Sequence, residues 1–436
     1  MKHVQNSIEN LKFNDDVLKD IIQLKETTWL NPNLSSINSL QIGLKKDDLY
    51  RARDLWRRFQ CYLKLVFPEL NKTNGIIESD FIEINSMKNC LNKNNSTKIN
   101  NIYLKCDHDL PIAGSIKARG GFYEVLHYAE TLAIEAGILS PEDSYDKFAS
   151  QEFKRFFNQY SIGVGSTGNL GISVGIIGTA LGFNVTVHMS ADAKEWKQEL
   201  LREKGVFVHK YVGDFSKAIS EGRRVTQTNP KGYFIDDENS ELLFLGYSTA
   251  AFHLKEQLEE KNIVVDENNP LFLYLPCGVG GSPGGITFGI KHILGNHVHC
   301  FFAEPTHSPS TLIGLSTGEK EDICVHDLGI DNLTVADGLA VGRSSRFATD
   351  YNNHLVSGVY TIEDNQLFRL LTMLVDSEKI FVEPSATAGF SGPEKIMQSS
   401  YLKKHRIKPN DITHVVWSTG GLLIPNSEKK LLYQKG

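Results

Sequence analysis

The sequence has no long apolar run. No stretch approaches the roughly 20 residues of a membrane-spanning helix, and the opening MKHVQNSIENLKFNDD is polar, without the apolar core of a secretion signal. It has little cysteine. Cys61, Cys90, Cys106, Cys277, Cys300 and Cys324 form no CxxC pair. Where a histidine stands close (His108, His299, His326), no second cysteine joins it at zinc-ligand spacing. These features argue against a disulfide framework, a cysteine zinc site and a membrane span, and they predict reduced core thiols in a cytoplasmic protein. There is no basic excess either. Lys and Arg total 46 against 52 Asp and Glu, a formal net charge of -6, which argues against a nucleic-acid partner. The densest basic run, Arg51 to Arg58, reads as the solvated face of a helix. No repeat and no low-complexity linker is visible. What remains is a chain of 436 residues, 41% hydrophobic and 22% charged, long enough for two domains.

Residues 1–100 read as helical and irregular. Leu49, Leu55, Phe59, Leu63 and Val66 put one apolar face on a helix from Asp47 to Phe67, which Pro68 ends. From Asn101 the pattern changes. Strands are expected at Ile102–Cys106, Tyr160–Val164, Asn184–His188, Val206–Tyr211, Tyr233–Ile235, Leu271–Leu275, Val298–Ala303 and His414–Trp417. Helices are expected from about Ser115, then at Ile172–Leu181, Lys194–Lys204, Phe215–Val225 and Ile286–Leu294. Alternation of this kind predicts an α/β protein with open parallel sheets flanked by helices.

Three segments stand where a strand or turn feeds a helix, the end of an open α/β sheet at which ligands bind. The first is Ser115-Ile116-Lys117-Ala118-Arg119-Gly120-Gly121. A cation in the first turn opposes the helix dipole and burial depresses lysine basicity, so Lys117 suits an imine-forming amine. Taken alone, it reads first as an exposed lysine of an amphipathic helix. The second is Gly163-Val164-Gly165-Ser166-Thr167-Gly168-Asn169. It satisfies GxGxxG, with Asp192 about 24 residues further on, so a nicotinamide oxidoreductase stays open as a rival. Its hydroxyls and amide equally suit a small anion or a ring oxygen. The third, Pro276-Cys277-Gly278-Val279-Gly280-Gly281-Ser282-Pro283-Gly284-Gly285, offers bare N–H groups at a helix start, a cradle for one phosphate. It lacks the Lys-Ser/Thr of a Walker A loop. An aldehyde-capturing lysine, a hydroxyl-rich turn and a phosphate cup together describe pyridoxal phosphate.

With these segments the sequence resembles the bacterial D-serine dehydratase family, within the fold type II (tryptophan-synthase-β-like) pyridoxal-phosphate enzymes. The likeness extends through Trp29-Leu30-Asn31-Pro32-Asn33, Gly75-Ile76-Ile77-Glu78-Ser79, Leu110 to Gly121, Ile235 to Ser240, Asp337-Gly338-Leu339-Ala340-Val341 and Ser418-Thr419-Gly420-Gly421. It implies that Lys117 bonds the cofactor aldehyde and that Asn169 bonds the ring hydroxyl. Gly278, Val279, Gly280 and Gly281 would hold the phosphate, and Thr419 would face the ring nitrogen. Ser166, Thr167 and Gly168 would sit by the substrate carboxylate. Two departures stand out: Ser282 where glycine is usual, and Leu422-Leu423 where smaller residues follow the last glycine pair. The acidic run Asp236 to Glu238 reads first as a solvated loop, with Asp236 a candidate for holding the substrate hydroxyl. Glu304, at a strand end, is a candidate ligand for a monovalent cation, K+ or Na+.

The implied organisation is a large cofactor-binding domain of residues 1–159 and 239–436, with a helical extension over about 1–100, and a small domain of residues 160–238. The implied activity is elimination of water and ammonia from D-serine, with D-threonine as a second substrate, in a monomeric enzyme without nucleic-acid or membrane partners. An L-serine or L-threonine dehydratase of the same fold and a catalytically silent pyridoxal-phosphate carrier remain as alternatives. The preference for D- over L-substrate rests on the resemblance alone.

Overall fold

The computed structural model describes residues 16–40, 43–93, 98–166, 168–191, 193–211 and 215–436, without the side chains of 215–218. Its strands are β1 (Thr28–Leu30), β2 (Phe81–Glu83), β3 (Asn101–Cys106), β4 (Ser161–Gly165), β5 (Asn184–Ser190) and β6 (Phe207–Tyr211). They continue with β7 (Gly232–Ile235), β8 (Leu271–Pro276), β9 (Val298–Pro305), β10 (Gly358–Ile362) and β11 (Thr413–Ser418). All the expected strands form, each within two residues of its expected ends.

The chain divides into two compact units. One comprises Ser79–Asp109, Ala250–Gly436 and the residues up to Leu44. It holds a seven-stranded sheet in the order β1-β10-β9-β8-β11-β3-β2. The five inner strands are parallel, while β1 pairs with β10 and β2 with β3 antiparallel. The inner strands β8 and β11 are buried along their whole length, as expected for parallel strands covered on both faces. Asn31, from the N-terminal likeness, is buried here and donates from Nδ2 to the carbonyls of Val356 at 2.8 Å and Asn353 at 3.0 Å.

The other unit comprises Lys45–Glu78 and Leu110–Thr249. Its sheet, β6-β5-β4-β7, is wholly parallel. These limits differ from the expected ones: the helix Lys46–Val66 and residues 110–159 belong with the four-stranded sheet. The reason is packing around the helix Lys117–Glu135. It lies against the helices Asn169–Leu181 and Glu241–Ser248. Its Arg119, almost fully buried, pairs with Glu78 through two bonds of 3.1 and 2.5 Å. Two segments of the family likeness, around Glu78 and around Lys117, are thus joined by one buried ion pair.

Gly120 shows how closely this helix is packed. A Cβ at that position would lie 2.5 Å from Cζ of Tyr247, in the helix Glu241–Ser248. Gly120→Ala is therefore expected to lower stability by about 1–3 kcal/mol through overpacking, despite alanine's better helix propensity. Urea unfolding would register this as a lower midpoint at unchanged slope. An unchanged or raised midpoint would mean that Tyr247 can move aside freely.

Candidate active site

Lys117 is the first residue of its helix, and its N–H is capped by Ser115 Oγ at 3.1 Å. Just before it, Ile112 adopts φ +76°, a conformation that β-branched residues rarely adopt. The Lys117 amine points to Asp237, with Nζ 3.1 Å from Oδ2 and 3.4 Å from Oδ1. The two side chains are 18% and 22% exposed. Burial alone would lower the basicity of the amine. The Asp237 carboxylate and the Tyr247 hydroxyl outweigh it and raise that basicity above the ordinary lysine value. The expected depression is thus reversed in direction: the Asp237 carboxylate favours the protonated amine. Tyr247 lies beneath it, its ring centroid 5.7 Å from Nζ. The Tyr247 hydroxyl is buried and has no hydrogen bond of good geometry among the described residues.

Asp237 is the residue that the sequence reading missed. Its neighbour Asp236 bonds Arg223 at 2.7 Å and Asn239 at 3.1 Å, and it accepts the N–H of Glu238 at 3.2 Å. Asp236 is therefore committed to its own loop. The loop is half-buried rather than solvated.

In the same unit, β4 runs into the turn before the helix Asn169–Leu181. Ser166 is buried, and its Oγ accepts from the N–H groups of Gly168 at 3.1 Å and Gly171 at 3.0 Å. It holds the turn in shape while its proton stays available for donation. Gly168 and Asn169 are half-buried at the helix start. Thr167 and Asp192 lie outside the described residues.

In the unit of the seven-stranded sheet, β8 runs into the glycine cup at the start of the helix Gly281–Leu294. Gly280, at the N-cap, has φ +93°, which favours glycine. No side chain caps this helix. The N–H groups of Gly278, Val279, Gly280, Gly281 and Ser282 find no acceptor among the described residues. All but Gly278 are in buried residues. Buried N–H groups are rarely left unpaired, and here they converge at the positive end of a helix dipole. These residues fit a phosphate dianion. Ser282 itself is buried, whereas Leu422 is 43% exposed.

Thr419 follows β11, and its buried hydroxyl donates to Glu383 at 3.4 Å. Glu304, fully buried in β9, accepts the N–H groups of Thr311 and Leu312 at 2.8 Å each, capping the helix Ser310–Thr317. Burial pushes its acid form up to about 8.

A family model described as pyridoxal-phosphate dependent enzyme matches residues 84–416. A protein of Halalkalibacterium halodurans named probable D-serine dehydratase is 51% identical over 99% of this chain and 99% of its own length. One of Geobacillus stearothermophilus with the same name is 49% identical over 99% of this chain and 96% of its own. The chain belongs to the pyridoxal-phosphate dependent enzymes, and among them to the D-serine dehydratase family. The nicotinamide reading of the Gly163 turn falls with this. Solved structures share the fold at low identity. Holo diaminopropionate ammonia lyase from Escherichia coli superposes with a TM-score of 0.73 at 15% identity, over 94% of this chain and 97% of that one. Maize serine racemase gives 0.62 at 17%, over 90% and 98%. Among the described residues no helix is long and apolar enough to cross a membrane.

Asp237→Asn should make Lys117 a weaker base. In cofactor-free protein at pH 8, its labelling by an amine-reactive reagent should rise about tenfold or more, since each pKa unit lost multiplies the free-base fraction tenfold. Peptide mapping by mass spectrometry would measure it. Equal labelling in both proteins would show that Asp237 does not set the state of the amine.

Proposed function

We propose that this protein eliminates water from D-serine and releases pyruvate and ammonia, with pyridoxal phosphate carried on Lys117. The observation that carries the substrate assignment is its 51% identity, over nearly the whole chain, to a protein named for that activity. Lys117, Asn169, the cup Gly278–Gly281 and Thr419 are the residues assigned to hold the cofactor.

Bound pyridoxal phosphate supplies an aldehyde that takes up an amine and a ring that accepts the electrons of a broken Cα–H bond. The five unpaired N–H groups of the cup hold the phosphate without a cationic side chain. Asn169 is placed at a helix start, where its amide can meet the ring hydroxyl. Free of the cofactor, Lys117 Nζ lies 3.1 Å from Asp237, where it would stand as the base for the Cα proton. Asp237 then keeps Nζ basic enough to hold the proton taken from Cα. The turn Ser166–Gly168 is assigned to the substrate carboxylate, for which Ser166 retains a hydroxyl proton. Thr419 offers a neutral hydroxyl, not a carboxylate, and so holds no proton firmly on the ring nitrogen. A weaker electron sink favours prompt loss of the β-hydroxyl over side reactions.

Purified protein should show a visible cofactor band, form pyruvate from D-serine faster than from L-serine, and accept D-threonine. Lys117→Ala should lose pyruvate formation by at least about 10³-fold, since base and attachment point vanish together. It should also lose the cofactor fixed by borohydride. Turnover retained in that variant would sink the assignment of Lys117, and a preference for L-serine would sink that of the substrate.

We also propose a monovalent cation, K+ or Na+, beside Glu304. A fully buried carboxylate is costly without a positive partner, and no side-chain cation pairs with Glu304 among the described residues. The cofactor-loaded protein should melt about 2 °C or more higher in potassium chloride than in tetramethylammonium chloride of equal ionic strength. Glu304→Gln should abolish the difference. Equal melting of the parent protein in both salts would exclude the site.

A further inference from the structure

Glu124 lies seven residues beyond Lys117 on the same helix, two turns on and on the same face. Its side chain is buried, and both carboxylate oxygens are used. Oε1 accepts the Tyr233 hydroxyl at 2.7 Å, and Oε2 accepts the Ser240 hydroxyl at 2.5 Å. Tyr233 belongs to β7, just before the aspartate loop. Ser240 closes that loop as the N-cap of the helix Glu241–Ser248, where its Oγ also accepts the N–H of Leu243 at 3.0 Å. The segment carrying Asp237 is therefore fastened at both ends to the helix that carries Lys117, through one carboxylate.

We propose that Glu124 is a positioning residue: by gripping Tyr233 and Ser240 it holds Asp237 within hydrogen-bonding reach of Lys117. A purely structural contact at this depth would be better served by an apolar side chain. Burial and the nearby Asp237 and Asp236 charges all oppose ionisation of Glu124, and they push its acid form up to about 7. What a carboxylate offers in exchange is two acceptor oxygens in a fixed fork for two hydroxyl donors. A glutamine of the same shape has only one acceptor. The inference concerns the Lys117–Asp237 pair itself; its consequence for turnover rests on the reading of Lys117 as the cofactor's amine.

The test uses the full-length chain, freed of cofactor for amine labelling and loaded with it for kinetics. Glu124→Gln loses one acceptor, and Tyr233→Phe removes a single hydroxyl with the ring left in place. In both variants Lys117 should label about threefold faster at pH 8, between the parent and Asp237→Asn, while exposed Lys255 labels at an unchanged rate. In the Asp237→Asn background, Tyr233→Phe should add nothing, because the two changes act on one interaction. In the loaded enzyme kcat should fall by a larger factor than KM rises. Unchanged Lys117 labelling in folded Glu124→Gln and Tyr233→Phe would overturn the proposal, as would an undiminished effect of Tyr233→Phe on the Asp237→Asn background. Faster Lys117 labelling in protein that never takes up pyridoxal phosphate would uphold the positioning role and remove only the cofactor reading.

Discussion

A lysine at the first turn of a buried helix is a physical contradiction, and the pairing with Asp237 resolves it. The helix dipole repels the ammonium and burial strips its water. Without a carboxylate the amine would lose its proton, and without the amine Asp237 would be a half-buried acid beside Glu124 and Asp236. Buried ion pairs add little net stability, because desolvation cancels much of their attraction. This one is therefore better explained by what the amine must do than by what the fold needs. The surroundings are consistent with that. Arg119 ties the helix to Glu78, Gly120 admits the Tyr247 ring, and Glu124 anchors the loop from which Asp237 reaches back. Three residues within the first eight of one helix surround the setting of a single amine.

Much of this was legible in the sequence, and the remainder shares one cause. Most inner strands declare themselves because strands buried on both faces are continuous aliphatic and aromatic runs; β10, equally buried, was not among the expected strands. The edge strands β1 and β2 did not declare themselves, since three residues carry no periodicity and their antiparallel partners are remote: Trp29 pairs with Val359, and Ile82 with Leu104. Lys117 and the glycine cup could be singled out as candidates because each is a local pattern with a chemical meaning. Asp237 was not. Asp236 and Asp237 are adjacent and identical in kind, and only Arg223 and Lys117, 13 and 120 positions away, distinguish them. The bounds of the two compact units differ from the expected domain limits, and one long-range contact within the second, the Glu78–Arg119 pair, spans 41 positions. Local chemistry is written locally, and the partners that tune it come from elsewhere in the chain.

The same unit contains two buried helix starts that are closed differently, and their difference supports the proposed phosphate position. At Ser310 the chain supplies its own acceptors: Glu304 reaches across from β9 and takes the N–H groups of Thr311 and Leu312. At Gly281 it supplies none, although Thr311 stands next door, with Oγ1 3.3 Å from Cys277 Sγ and 3.5 Å from the Gly278 carbonyl. One helix is closed by a carboxylate, and its neighbour is left with five N–H groups facing no acceptor among the described residues. Carboxylate, serine or threonine side chains commonly cap helix starts, but φ +93° at Gly280 disfavours any side chain there. Gly278, Gly280 and Gly281 bring no side chains to this helix start. On the proposed reading an external dianion would complete this helix start, and the helix Gly281–Leu294 would gain stability from its ligand.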